Sequence, residues 1–251
     1  MAPIVAALFY FLPAQWLFLF LTLVALIAVY EIAAMIAASK KYLLVFLSLV
    51  ALLPLYFQSF RLYLLWLLAS PLIYLIVRLL QGGGYKEGIN EEIIRGVLSI
   101  LFGEIFVVLP IFSMYMLKEL DNLFPFILLL AVWASDTCAY AAGRAFGKRP
   151  LAPQMSPKKT CEGLLGAVLG TMIVIFAAQR LLGFEPLKSL VVGAAMGLIG
   201  QAGDLLESVG KRVSHTKDSS SLIPGHGGIL DRMDSFVFTA PFLYLCVIWK
   251  A

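Results

Sequence analysis

Asp204, Glu207 and Lys211 are spaced i, i+3 and i+7, which places them on one face of a helix that emerges from an apolar run. Asp231 and Asp234 repeat the three-residue spacing. Between the two groups lies a polar loop with Lys217, Asp218 and the turn Pro224-Gly225-His226-Gly227-Gly228, whose glycines permit positive φ and close approach of backbone to a ligand. Carboxylate oxygens beside basic side chains suit Mg²⁺ bound jointly by carboxylates and substrate phosphates. Asp204 and Asp231 are the candidate ligands. The alternative for both is a pair of solvated carboxylates at helix ends, with Asp231 helping to start a helix. Asp234 is either a ligand or a partner that orients Arg232 or Lys217, and His226 either touches substrate or completes the turn.

A second cluster lies upstream. Asp136, Tyr140 and Arg144 recur every four residues and share a helix face. Lys158 and Lys159, flanked by Ser156, Pro157 and Thr160, are candidate phosphate contacts; the less favoured alternative is ordinary retention of basic residues on the cytoplasmic side. Thr160 and Glu162 are candidates to cap the following helix. Ionisable groups inside membrane spans cost several kcal/mol unless paired or hydrated, so Glu31, Glu104, Asp136, Asp204 and Glu207 each need an explanation. For Glu31 and Glu104 structural pairing is the favoured one.

These residues must be held by apolar elements, because 61% of the chain is hydrophobic and only 14% is charged. A soluble domain is about 45 to 50% apolar, so the expected fold is an all-α integral membrane protein, a polytopic bundle of about eight or nine transmembrane helices. The candidate spans are 14 to 38, 42 to 57, 61 to 80, 94 to 116, 123 to 146, 162 to 182, 187 to 212 and 233 to 249. The run from Pro3 to Leu12 lacks a charged leader and a clear cleavage site and is expected to be retained; as a helix it would be only about 15 Å long. The organisation expected is N-terminal hydrophobic helices over 1–80, a glycine-containing connection over 81–93 that reads as a hinge rather than a phosphate cradle, and a membrane region over 94–251 with polar loops at 147–161 and 213–232. Fourteen of the nineteen basic residues fall on one side of the spans, which assigns both loops to the cytoplasmic face. Cys138, Cys161 and Cys246 are widely separated and form no metal or disulfide pattern.

The stretch from Gly203 to Ser235 resembles the signature of phosphatidate cytidylyltransferases, also called CDP-diacylglycerol synthases. The matching pieces are Gly203-Asp204, Glu207-Ser208, Lys211-Arg212, Lys217-Asp218-Ser219, the run Ile223 to Gly228, and Leu230-Asp231-Arg232-Met233-Asp234-Ser235. A second block of that family, SDTxAYxxGRxFGK followed by SPKKTxEG, is similar to Ser135 to Lys148 and Ser156 to Gly163, with Cys161 where an aromatic residue is usual. The resemblance covers roughly the C-terminal half of the chain and no more than hydrophobic spans before that.

What the resemblance implies is attack of a phosphatidate oxygen on the α-phosphorus of CTP with loss of pyrophosphate. A phosphate monoester has a second pKa near about 6 and is already ionised at neutral pH, so no general base is required. The difficulty is bringing two polyanions together, which metal ions and cationic side chains relieve. The implied catalytic residues are Asp204, Lys217, Asp218, Asp231 and Asp234. The implied substrate contacts are Ser156, Lys158, Lys159, Lys211, His226, Arg232, Asp136 and Arg144. The implied cofactor is Mg²⁺, with a second cation left open. The partners are CTP and membrane phosphatidate, with no nucleic acid polymer and a homodimer as a family-level expectation. The location is a bacterial cytoplasmic membrane, with the active site on the cytoplasmic face. Two other functions compete: a CTP-dependent polyprenol or lipid kinase, and a cation transporter whose intramembrane acids form a pathway.

Overall fold

The computed structural model describes residues 2–36, 40–81, 89–153, 155–214, 216, 219–220 and 227–249. The connection at 82–88 and three of the candidate site residues, Lys217, Asp218 and His226, lie outside the described residues.

Each apolar run becomes a helix. In chain order these are α1 (Ala2–Phe11), α2 (Ala14–Met35), α3 (Lys41–Tyr56), α4 (Phe60–Gln81) and α5 (Ile89–Gly103), then α6 (Leu109–Leu120), α7 (Leu123–Phe146), α8 (Cys161–Ala177), the short α9 (Gln179–Leu182), α10 (Pro186–Val213) and α11 (Phe236–Ile248). A π-helical turn, Glu104–Val108, joins α5 to α6, so that a single run from Glu91 to Leu120 replaces the shorter expected span. Among the described residues, five helical runs are long and apolar enough to cross a membrane: Ala14–Met35, Phe60–Leu80, Glu91–Leu120, Leu123–Phe146 and Pro186–Arg212. The remaining expected spans are the shorter apolar helices Lys41–Tyr56, Cys161–Ala177 and Phe236–Ile248. The protein is therefore a polytopic helical membrane protein, and its length of hydrocarbon-facing helix explains the many exposed leucines and phenylalanines along α4 and α8.

The loop expected over 147–161 is more ordered than its composition suggests. Pro150–Ala152 (β1) pairs antiparallel with Ser156–Thr160 (β2), Pro150 opposite Thr160 and Ala152 opposite Ser156. Pro150, Pro153 and Pro157 disfavour helix here, and prolines are tolerated in a two-stranded ribbon where each strand is an edge.

The chain divides into two compact units. The first comprises Met1–Leu17, Ser113–Val213 and Met233–Ala251. At its centre α8 lies between α7 and α10, and small residues let the backbones approach. A Cβ added at Gly166 would meet Cys138 O at 2.5 Å, and one at Gly197 would meet Val168 Cα at 2.7 Å. Gly166 and Gly170 on α8, like Gly193 and Gly197 on α10, have the four-residue spacing of membrane helix interfaces built on van der Waals packing. Two lysines from the sparsely basic side are used as helix ends. Lys118 Nζ donates to Phe9 O and Tyr10 O at 2.7 and 2.9 Å, in the last turn of α1. Lys188 Nζ donates to Trp249 O at 2.8 Å, just past α11. Both place a cation at the negative end of a helix and satisfy carbonyls that have no partner within it.

The second unit comprises Phe18–Phe112 and Ser214–Arg232. Its core gathers Ala33, Leu44, Leu47, Tyr74 and Ile100. Trp66 Nε1 donates to Leu47 O at 3.1 Å, linking α4 to α3, and the Tyr63 hydroxyl donates to Glu104 O at 2.8 Å, where the π-helical turn begins. Glu104 itself is fully buried, with neither carboxyl oxygen in a hydrogen bond among the described residues.

Candidate functional site

A cavity of about 440 Å³ opens in the first unit, lined by α7, β2, α8 and α10. Its wall includes Asp136, Tyr140 and Arg144 from α7, Lys158 and Lys159 from β2, and Gln201 and Asp204 from α10. Five of the implied catalytic and substrate-contact residues thus meet in one place, Asp136, Arg144, Lys158, Lys159 and Asp204, with Tyr140 and Thr160 beside them. The four-residue recurrence on α7 works as the helical period requires, since Arg144 Nη1 donates to the Tyr140 hydroxyl at 3.2 Å one turn away.

The lysine pair reaches the cavity because the hairpin is tied down at both ends. Thr160 is the N-cap of α8 and its Oγ1 accepts from Gly163 N at 3.1 Å, which satisfies one orphan donor of the helix. Glu162 does not complete a capping box; its Oε2 accepts from Lys148 N at 3.1 Å and Arg149 N at 3.3 Å, fixing the chain as it leaves α7. Cys161 N donates to Arg149 O at 2.9 Å and closes the same corner. Lys159 Nζ then lies 2.5 Å from Asp204 Oδ2.

Farther along α10, Lys211 pairs with Glu207 at 3.0 Å, the i, i+4 arrangement read from the sequence. Gly203 explains how Asp234 comes close to this face. A Cβ there would meet Asp234 O at 2.8 Å and Phe238 at 2.7 Å, so only glycine lets the turn before α11 pack against α10. Asp234 lies in that turn, outside the membrane-spanning helices. Its carboxyl is pushed up to about 7, first by burial and then by the negative charge of Asp204, with Asp136 adding to it and Lys211 opposing it. Asp136, Asp204 and Asp234 therefore concentrate negative charge that Lys159 and Lys211 only partly offset. Ser156 starts β2 but is not part of the cavity wall.

Asp231 and Arg232 belong to the second unit, in a single 3₁₀ turn, Leu230–Arg232. Asp231 Oδ2 accepts from Ser219 N at 3.0 Å, Ser219 Oγ at 2.9 Å and Gly228 N at 2.8 Å. Gly227 has φ 78°, and a Cβ on it would meet Asp231 Oδ2 at 2.7 Å, so the glycine allows the loop to fold onto the carboxylate.

Among the described residues no group of three His, Cys, Asp or Glu side chains is disposed to hold a metal ion by itself. Mg²⁺ is commonly bound through one or two carboxylates together with substrate phosphates, and the carboxylates of Asp136 and Asp204 in this wall, beside the basic side chains of Arg144, Lys158 and Lys159, fit that mode of binding. Gln201, only 6% exposed, is a cavity residue that the motif reading passed over. A buried amide in an apolar helix is the signal that would have found it.

A family model described as the cytidylyltransferase family matches residues 1–249. Among individual proteins, the chain is 43% identical over 117 residues to a phosphatidate cytidylyltransferase of Bacillus subtilis, covering 46% of this chain and 44% of that one. It is 46% identical over 119 residues to one from Haemophilus influenzae, covering 45% and 41%. A Staphylococcus aureus relative of the same name is 44% identical over 121 residues, covering 47% and 46%. The match thus spans less than half the length of each of these relatives.

Proposed function

The chain belongs to the cytidylyltransferase family, and from that membership we propose that it transfers CMP from CTP to phosphatidate, giving CDP-diacylglycerol and pyrophosphate. The observation that carries this reading is the cavity in which Asp136 and Asp204 face Lys158, Lys159 and Arg144. It has the size expected of a small-molecule site, roughly 300 to 1,000 Å³, and the charges of both signs that a reaction between two phosphates requires.

In this reading an ionised phosphate oxygen of the lipid forms the new bond to the α-phosphorus of CTP. The bond from that phosphorus to the bridging oxygen of the β-phosphate breaks, and pyrophosphate takes the electron pair. No proton has to be removed from the nucleophile. Lys158, Lys159 and Arg144 bind phosphate oxygens and lower the repulsion between the two polyanions. Arg144 and Tyr140, at the end of α7, orient the incoming headgroup. Asp204, with Asp136 beside it, would hold Mg²⁺, which when bound supplies charge neutralisation of the triphosphate. For Asp231 the same role rests on the sequence motif. Lys217, Asp218 and His226 keep the substrate and catalytic roles implied by that motif, as do Ser156, Lys211, Arg232 and Asp234.

The asymmetric distribution of Lys and Arg supports an active site on the cytoplasmic face of a bacterial cytoplasmic membrane. The test is turnover by the purified protein in detergent with CTP, Mg²⁺ and phosphatidate, compared with Asp204→Asn. CDP-lipid formation that the substitution removes supports the reading; full activity of Asp204→Asn contradicts it.

A further inference from the structure

Glu31 lies near the C-terminal end of α2 and is 2% exposed. A carboxylate there is poorly placed twice over, since burial strips its water and the helix C-terminus repels negative charge. The compensation comes from one stretch of chain far away in sequence. Ser219 Oγ donates to Glu31 Oε2 at 2.9 Å and Ser220 Oγ to Oε1 at 2.6 Å. Ile229 N donates to Oε1 at 3.0 Å and Leu230 N to Oε2 at 2.9 Å. Among the described residues Glu31 has no salt bridge, so its side chain is given over to holding backbone and hydroxyl groups of this loop.

The fit leaves no slack. A Cβ added at Gly228 would collide with Ser219 Oγ and would meet the two Glu31 carboxyl oxygens at 2.5 and 2.6 Å. Ser219 Oγ stands 2.9 Å from both Glu31 Oε2 and Asp231 Oδ2. Having one proton, it donates to one carboxylate at a time, which couples the two acids through a single hydroxyl. Removing Glu31 would leave buried donors on both flanks of the turn without an acceptor.

We infer that Glu31 is a positioning residue for the reaction: from the N-terminal half of the chain it fixes the loop residues 219–220 and 228–230 that frame Asp231. The inference rests on the reading that this loop serves CMP transfer, and it assigns Glu31 no contact with substrate. Misplacement of a reacting constellation by about 1 Å can cost on the order of 100-fold in rate, so loss of this anchor lowers kcat rather than only the yield of folded protein.

The experiment uses the full chain in detergent micelles, with kcat and KM for CTP measured per folded protein and hydrogen exchange followed in peptides covering 227–232. Glu31→Ala is expected to speed exchange there and to lower kcat, each by about tenfold or more, with KM changed by less than about threefold. Glu31→Gln, which keeps one acceptor oxygen, is expected to recover part of kcat. Wild-type kcat and wild-type exchange in Glu31→Ala overturn the inference. If that variant fails to fold, Gly228→Ala tests the same contact from the loop side: the same two changes support the anchor, and wild-type values for both overturn it. A wild-type protein that forms no CDP-lipid, yet shows the exchange difference on Glu31→Ala, supports the anchor and removes the functional reading above.

Discussion

Lys159 and Asp204 are joined by an ion pair, Nζ to Oδ2 at 2.5 Å, although one comes from a β-hairpin and the other from the middle of α10. Both side chains are partly open to the cavity, 19% and 26% exposed. The pair holds together the two charges that the proposed reaction needs apart, one for phosphate and one for a cation. Substrate therefore has to exchange a protein partner for a ligand on each side.

That exchange gives a two-part expectation for Lys159→Ala. Turnover should fall by about 100- to 1,000-fold, the range seen when a single group that stabilises transition-state charge is lost. The Mg²⁺ concentration needed for half-maximal activity should fall as well, because Asp204 no longer has a competing cation. Steady-state kinetics against Mg²⁺ checks both, and unchanged turnover with unchanged Mg²⁺ dependence would show that the pair is only scaffold.

Asp234 gives a pH dependence whose sign follows from its environment. With its carboxyl raised to about 7, the group is largely protonated below that pH, and a cation bound next to it must displace the proton. Stabilisation of the unliganded protein by Mg²⁺ should therefore need about tenfold more metal at pH 6 than at pH 8. Thermal melts with increasing Mg²⁺ at the two pH values measure this, and Asp234→Asn should remove the difference. Equal half-saturation at both pH values in the wild type would refute it.

The α8–α10 interface predicts a stability effect. At Gly197 a Cβ would meet Val168 Cα at 2.7 Å, and backbone cannot swing aside as a flexible side chain can. Gly197→Ala should destabilise the first unit by roughly 1 to 3 kcal/mol, the usual cost of overpacking. Gly210→Ala, where nothing lies within 4 Å of the added Cβ, is the control and should be as stable as the wild type or more stable by up to about 1 kcal/mol, the gain in helix propensity. Unfolding in mixed micelles compares the two.

Much of this organisation is legible in the sequence because it depends on local period and composition. Runs of about 20 apolar residues mark spans, and the recurrence of Asp136, Tyr140 and Arg144 every four residues is enough to put them on one wall. The hairpin over 150–160 was not legible. Its two short strands have no apolar alternation, and they are specified by prolines that exclude helix and by Glu162 reaching back to Lys148 and Arg149. Glu31 shows the other limit. Its type and its place in an apolar helix flag it as needing partners, but nothing in spacing connects residue 31 with donors at 219, 220, 229 and 230, since that pairing is made by tertiary structure. Gln201 is legible only weakly: an amide within a membrane helix is costly to bury unpaired, but it carries no charge and belongs to no motif that would mark it.

The central claim is that the cavity supports attack at the α-phosphorus of CTP, and the fate of the individual phosphates tests it most directly. Purified protein is given phosphatidate in mixed micelles with Mg²⁺ and CTP labelled in parallel reactions at the α- or the γ-phosphate; the organic phase is counted, and CTP, CDP and pyrophosphate in the aqueous phase are separated by chromatography and counted. The account predicts α-label in the lipid phase as CDP-diacylglycerol and γ-label in aqueous pyrophosphate, with both signals lost in Asp204→Asn. Transfer of the γ-label to lipid, with the α-label left in CDP, would contradict it and identify a kinase instead.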